Sequence, residues 1–150
     1  EALVTIPSYD PSSNTITFCM LTYDDINHES GHFYMDEVAE DIGIGDWPNY
    51  DEIGTDEYEM KRLIAEGTAR YFEREMDGKC PYMDLQIFAG LQEIKSLDAY
   101  SFYNLGYNVV YPILHGRVRR GVEYLLRNPP TPENAADLKA YQEKAIQELK

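Results

Sequence analysis

The sequence predicts an α+β fold, a short N-terminal β-hairpin followed by a series of helices. Three observations carry this. The stretches "ALVTIPSY" and "TITFCML", rich in β-branched and aromatic residues, flank the turn chemistry of "DPSSN". From residue 56 onward, apolar residues recur at the three-to-four spacing of buried helix faces. Capping residues, glycines and prolines then divide the helical part into segments.

Taken in order, residues 2–9 and 15–21 form the hairpin strands, the second as an edge strand. Thr22 is the expected N-cap of a first helix from Tyr23 to Asp41. Asp24 and Asp25 sit in its first turn, where the helix dipole favours acids, and Gly43 follows as a stop. Residues 42–56, "IGIGDWPNYDEIGTD", have no helical period and read as a loop. Thr55 or Asp56 caps a second long helix, with Met60, Leu63, Ile64, Gly67, Tyr71 and Phe72 on its buried side and Gly78 at its end. Pro81 opens a new segment. A short helix is expected over 84–95 and a longer one over 98–127, kinked or interrupted at Pro112. The break "NPPTP" separates this domain, residues 1–127, from a polar helical tail over 128–150 that is a candidate regulatory element.

The chain has 150 residues, 43% of them hydrophobic, which suits one folded domain with a single core. Its 27 acidic residues against 13 basic ones give a formal charge of -14. That excludes a nucleic-acid backbone or an anionic membrane as partner, because both require a basic face. No apolar run approaches the ~20 residues of a membrane span, and no signal peptide is visible. Two cysteines, Cys19 and Cys80, make no disulfide framework and are expected as reduced thiols, so the expected location is cytoplasmic.

The stretch that carries chemistry is "HESGH", residues 28–32. On a helix, positions i and i+4 share a face, so His28 and His32 can turn a ring nitrogen each toward one zinc ion. Glu29, one residue round from His28, is placed to act on a water at the open side of the metal. The competing reading is two surface histidines on a solvated face. Ile26, Phe33 and Met35 argue for a packed helix instead. A catalytic zinc also needs a third protein ligand. The extended metzincin pattern would supply it with a glycine three residues and a histidine six residues after His32, but Met35 and Val38 stand there. His115 lies beyond Pro112 among arginines and is a weak candidate. Glu66 is the better one. It sits in "LIAEGTARY", an otherwise apolar face where a lone acid needs a partner, and small residues beside it allow a neighbouring helix to come close.

"HESGH" followed by "EGTARYFE" resembles the gluzincin clan of zinc metallopeptidases, most closely the minigluzincins. The resemblance covers residues 15–79 well and 84–127 more weakly. It implies a small zincin-like catalytic domain that hydrolyses peptide bonds in peptide or protein substrates, with zinc held by His28, His32 and Glu66 and Glu29 as general base and acid. It also implies an upper-rim strand, "TITFCM", that binds substrate in extended form, and a tyrosine or histidine after the glutamate helix that stabilises the oxyanion. Tyr103, Tyr107, Tyr111 and His115 all qualify, and Tyr107 is favoured because Gly106 beside it allows close approach. Some minigluzincins resemble latent enzymes closed by a C-terminal segment or a second protomer, so the tail or self-association is a candidate inhibitor. The alternative is a zinc-binding, non-catalytic or interaction protein on the same fold.

Overall fold

A computed structural model of the chain describes residues 8–17, 23–78 and 83–150. It is mostly helical, with one small antiparallel sheet, and so α+β at the coarse level. The sheet pairs β1 (Ser8–Asp10) with β2 (Thr15–Thr17), Tyr9 lying opposite Ile16. Asp10 shapes the turn between them. Its carboxylate accepts from the Ser12 amide at 2.9 Å and from the Ser12 and Ser13 hydroxyls at 2.7 and 2.8 Å. The outer parts of both expected strands lie outside the described residues, as do Cys19, Cys80, the Thr22 cap and Pro81.

Helix α1 spans Tyr23–Asp41 and α2 spans Asp56–Asp77. The Thr55 side chain accepts from the Tyr58 amide at the start of α2, and left-handed Gly78, φ +66°, ends it. The remaining α-helices among the described residues are α3 (Leu91–Lys95), α4 (Ala99–Leu114), α5 (Val118–Arg127) and α6 (Leu138–Glu148). No helix among the described residues is long and apolar enough to cross a membrane.

Helix α2 is central, packed between α1 on one side and α4 on the other. Both crossings are close because the facing residues are small. A Cβ on Gly67 would come within 2.2 Å of the Gly106 carbonyl carbon on α4, and a Cβ on Gly31 within 2.6 Å of the Ala69 Cα. Gly67 therefore serves the contact with α4, whereas Ala69 and Gly31 bring α1 and α2 together. Met60, Leu63, Ile64, Val109, Val110 and Ile113 fill the core around these crossings.

Three expectations are corrected. The helix expected over 84–95 exists only as α3. Residues 83–88 are not helical, and the Glu93 carboxylate accepts from the Ala89 amide at 2.7 Å, closing the start of α3 from inside. The expected interruption at Pro112 is absent, since α4 runs through it. Proline removes the N–H that the Asn108 carbonyl would receive four residues earlier. Gln142 of α6, fully buried, replaces it by donating to the Asn108 and Val109 carbonyls at 2.8 and 3.0 Å. The break comes instead at Gly116, φ +76°, where Arg117 folds back to donate to the Pro112 and Ile113 carbonyls. The tail, finally, belongs to the body of the protein. Leu138, Tyr141, Ala145 and Leu149 share the core with the other helices.

Gly67→Ala should test the central crossing, because the new methyl group would run into the backbone of Gly106. Forcing α2 and α4 apart should cost about 2–3 kcal/mol. Thermal unfolding should show a fall in Tm of roughly 5–10 °C for a chain of this size. An unchanged Tm would mean that the two helices are not in backbone contact.

Candidate metal centre

The α1–α2 crossing decides what the HESGH turn faces. Gly31 lies on the side of α1 pressed against Ala69, three residues after Glu66 on α2. His28 and His32, one turn apart, thereby come over Glu66. His28 Nε2 lies 3.2 Å and His32 Nε2 3.3 Å from the same oxygen, Glu66 Oε2. The ligand atoms of all three residues fall within 4.8 Å of one another. Four ligands at ~2.1 Å around a tetrahedral zinc are ~3.4 Å apart. The donor types suit one such ion, and the two separations from Glu66 Oε2 lie close to that value.

Glu73 is a member of the cluster that sequence reasoning missed. Its Oε2 is 3.2 Å from His28 Nδ1, and Arg70 Nη1 donates to both of its oxygens at 2.8 and 3.1 Å. It lies two helical turns beyond Glu66, so the last letter of "EGTARYFE" was its available signal. A carboxylate on the second ring nitrogen fixes the tautomer and orientation of a ligating histidine.

The charges balance internally. Burial opposes charge on His28, but hydrogen bonds to Glu66 and Glu73 overcome it and raise its pKa to about 9. Burial likewise opposes charge on Glu66, and the two imidazoles overcome it, lowering its pKa to about 2. Glu29 has no such close partner among the described residues. Burial raises its pKa, while the neighbouring His32 and His28 work in the opposite direction. At 7% exposure it is the most buried carboxylate of the group, and it faces the same cavity as the two histidines.

That cavity has a volume of about 260 Å³. Its walls are aromatic: Tyr9 from the hairpin, Trp47 and Tyr50 from the 42–56 loop, Tyr58 from α2 and Tyr103 from α4. Sequence reasoning treated the loop as a connection only. Its tryptophan and tyrosine had no periodic pattern to mark them as a wall. The hairpin is tied to α1 by the Tyr9 hydroxyl, which donates to Asp36 Oδ2 at 2.6 Å, one turn beyond His32. Tyr9 and Pro11 reach the cavity, whereas Thr15 and Ile16 of the expected substrate strand do not line it.

Tyr107 is corrected as the oxyanion residue. It is fully buried, its ring lies 4.6 Å under the Arg74 guanidinium, and it does not line the cavity. Tyr103, one turn earlier on the same face of α4, does line it and stacks on His28 with centroids 5.7 Å apart. His115 is far from this cluster, exposed, stacked on Tyr111 and 3.8 Å from Glu75.

No protein-family model, curated protein or solved structure matches the chain.

Metal titration checks the centre directly. Wild-type protein should bind one equivalent of zinc and unfold at a higher temperature when loaded. Replacing His28, His32 or Glu66 by alanine should abolish that shift. Glu73→Gln should keep the site but weaken zinc affinity roughly 10- to 100-fold, since it removes orientation and not a ligand. Equal zinc affinity in wild type and Glu66→Ala would remove Glu66 from the centre.

Proposed function

We propose that this chain is a zinc-dependent metallopeptidase. The observation that carries the reading is the convergence of His28, His32 and Glu66 on one point at the wall of a cavity that Glu29 also faces. Two histidines and a carboxylate with an open fourth position are the donor set of a catalytic zinc site, whereas structural sites are closed by four protein ligands.

When bound, zinc polarises a carbonyl and lowers the pKa of its water toward ~7. The rest falls to side chains. Glu29, buried beside the histidines, takes the proton of the attacking water and hands it to the leaving amine. Glu73 keeps the His28 ring turned so that Nε2 meets the metal position. Tyr103 supplies an O–H donor on the cavity wall for the negative charge that develops on the carbonyl oxygen. The aromatic rings of the wall hold the apolar part of a peptide.

Closure of the site by the C-terminal tail is not part of this reading. Helix α6 is committed to the core through Gln142 and its apolar neighbours, and contributes no residue to the cavity among the described ones. A reducing compartment such as the cytoplasm suits the two cysteines.

One observation favours a second reading, a zinc-binding or ion-paired scaffold without catalysis. The cluster satisfies itself without metal, with each histidine about 3 Å from Glu66. A peptide-library cleavage assay separates the two. Glu29→Gln should retain its zinc and lose roughly 10²- to 10⁴-fold in kcat. Tyr103→Phe should lose about 10²- to 10³-fold, mainly in kcat, while Tyr107→Phe keeps turnover. Full activity in Glu29→Gln, or no cleavage by zinc-loaded wild type, would favour the scaffold.

A further inference from the structure

We infer that Arg62 is a specificity determinant of this cavity, placed to bind a carboxylate of the peptide substrate. The inference rests on the peptidase reading and names the substrate class for it. Arg62 sits one turn before Glu66 on α2 and lines the same cavity as His28, Glu29 and His32. Among the described residues that line it, Arg62 is the one lysine or arginine. With a volume of about 260 Å³, the cavity is smaller than the ~300–1,000 Å³ of drug-sized ligand sites, so a group held at the metal donors lies close to every wall.

The guanidinium is held ready for a planar partner. It lies over the Phe102 ring, 4.3 Å from the centroid. Its one hydrogen bond among the described residues runs from Nη1 to Glu59 Oε2 at 2.8 Å. That is an i,i+3 pair on a partly solvated helix face, which binds weakly. Arginine has five N–H donors, so Nε and Nη2 remain for a second carboxylate in fork geometry. The charge also reaches into the cavity. Burial raises the phenol pKa of Tyr58, on the cavity wall, and Arg62 is the leading influence that lowers it. An acidic chain thus places a stacked, fork-shaped cation in the same cavity as the two histidines and Glu66.

The carboxylate can be the C-terminus of a short peptide or an Asp or Glu side chain next to the cleaved bond. Three acetylated probes separate these: Ala-Phe-Ala as the free acid, the same peptide as the amide, and Ala-Phe-Glu as the amide. Binding is measured by calorimetry in the Glu29→Gln protein, which should not turn the probes over, both metal-free and loaded with zinc. We expect at least one acidic probe to bind about tenfold or more tighter than the neutral amide. The free acid winning identifies a chain terminus, and the Glu peptide winning identifies a side chain. The preference should persist without metal and disappear in Arg62→Met, which keeps an apolar stem against Phe102. Arg62→Lys should retain part of it, and it provides the test should the methionine variant fail to fold. Equal binding of all three probes overturns the inference. So does a preference that survives the loss of Arg62, since the carboxylate would then sit on the metal. An Arg62-dependent preference in a protein that cleaves nothing would overturn the peptidase reading and leave carboxylate recognition standing.

Discussion

The structure depends on the close passage of α2 between α1 and α4. Small residues set both distances, Ala69 against Gly31 on one side and Gly67 against Gly106 on the other. A helix with ordinary side chains at those positions would stand farther off, and helix axes separate by amounts that follow the contacting residues. An increase of even an ångström at the first crossing would pull Glu66 from two imidazoles that now lie about 3 Å away. The geometry of this cluster is therefore a consequence of backbone approach. The same passage leaves α2 with its Glu66 side toward α1 and its Tyr103-bearing partner α4 just behind, so that three helices contribute to one small cavity.

Electrostatics then explains why such a site tolerates burial. Placing carboxylates and imidazoles together away from water is unfavourable unless each has a partner. Here Glu66 lies between two histidines, Glu73 between His28 and Arg70, and Glu29 stands near both histidines. The cluster is a ring of mutual compensation into which a divalent cation could enter in place of protons. Arginines Arg62 and Arg70 are held along the same side of α2 by the aromatic rings of Phe102 and Tyr100. In a chain of charge -14, this concentrates positive charge beside the glutamates, where it is needed.

Much of the site could be read from local sequence because its rules are local. The i,i+4 spacing of His28 and His32 needs no more than helix geometry to put them on one face. Glu66 stood out as an acid in an apolar stretch. The choice between Tyr103 and Tyr107 was not legible, because both occupy the same face of α4 and differ by one turn, ~6 Å along the axis. Periodicity reports the face and is silent about that depth. Glu73 was quoted as part of a pattern without a role, because its partner lies 45 residues away. Trp47 and Tyr50 were invisible as cavity walls for a similar reason, since a loop has no period from which orientation follows.

Pro112 shows the same division within the fold. The local rule, that proline interrupts a helix, is correct about the lost hydrogen bond, yet α4 continues because Gln142 brings the missing donor from another element. By itself the sequence determined the principal helices, the hairpin turn and the two histidines on one face, since propensity, capping and periodicity act within a few residues. Only the tertiary structure decided which glutamates meet those histidines, which tyrosine and arginine wall the cavity, and that the tail belongs to the core. Those are relations between elements, set by how closely and at what depth helices pack, and no local pattern contains that distance.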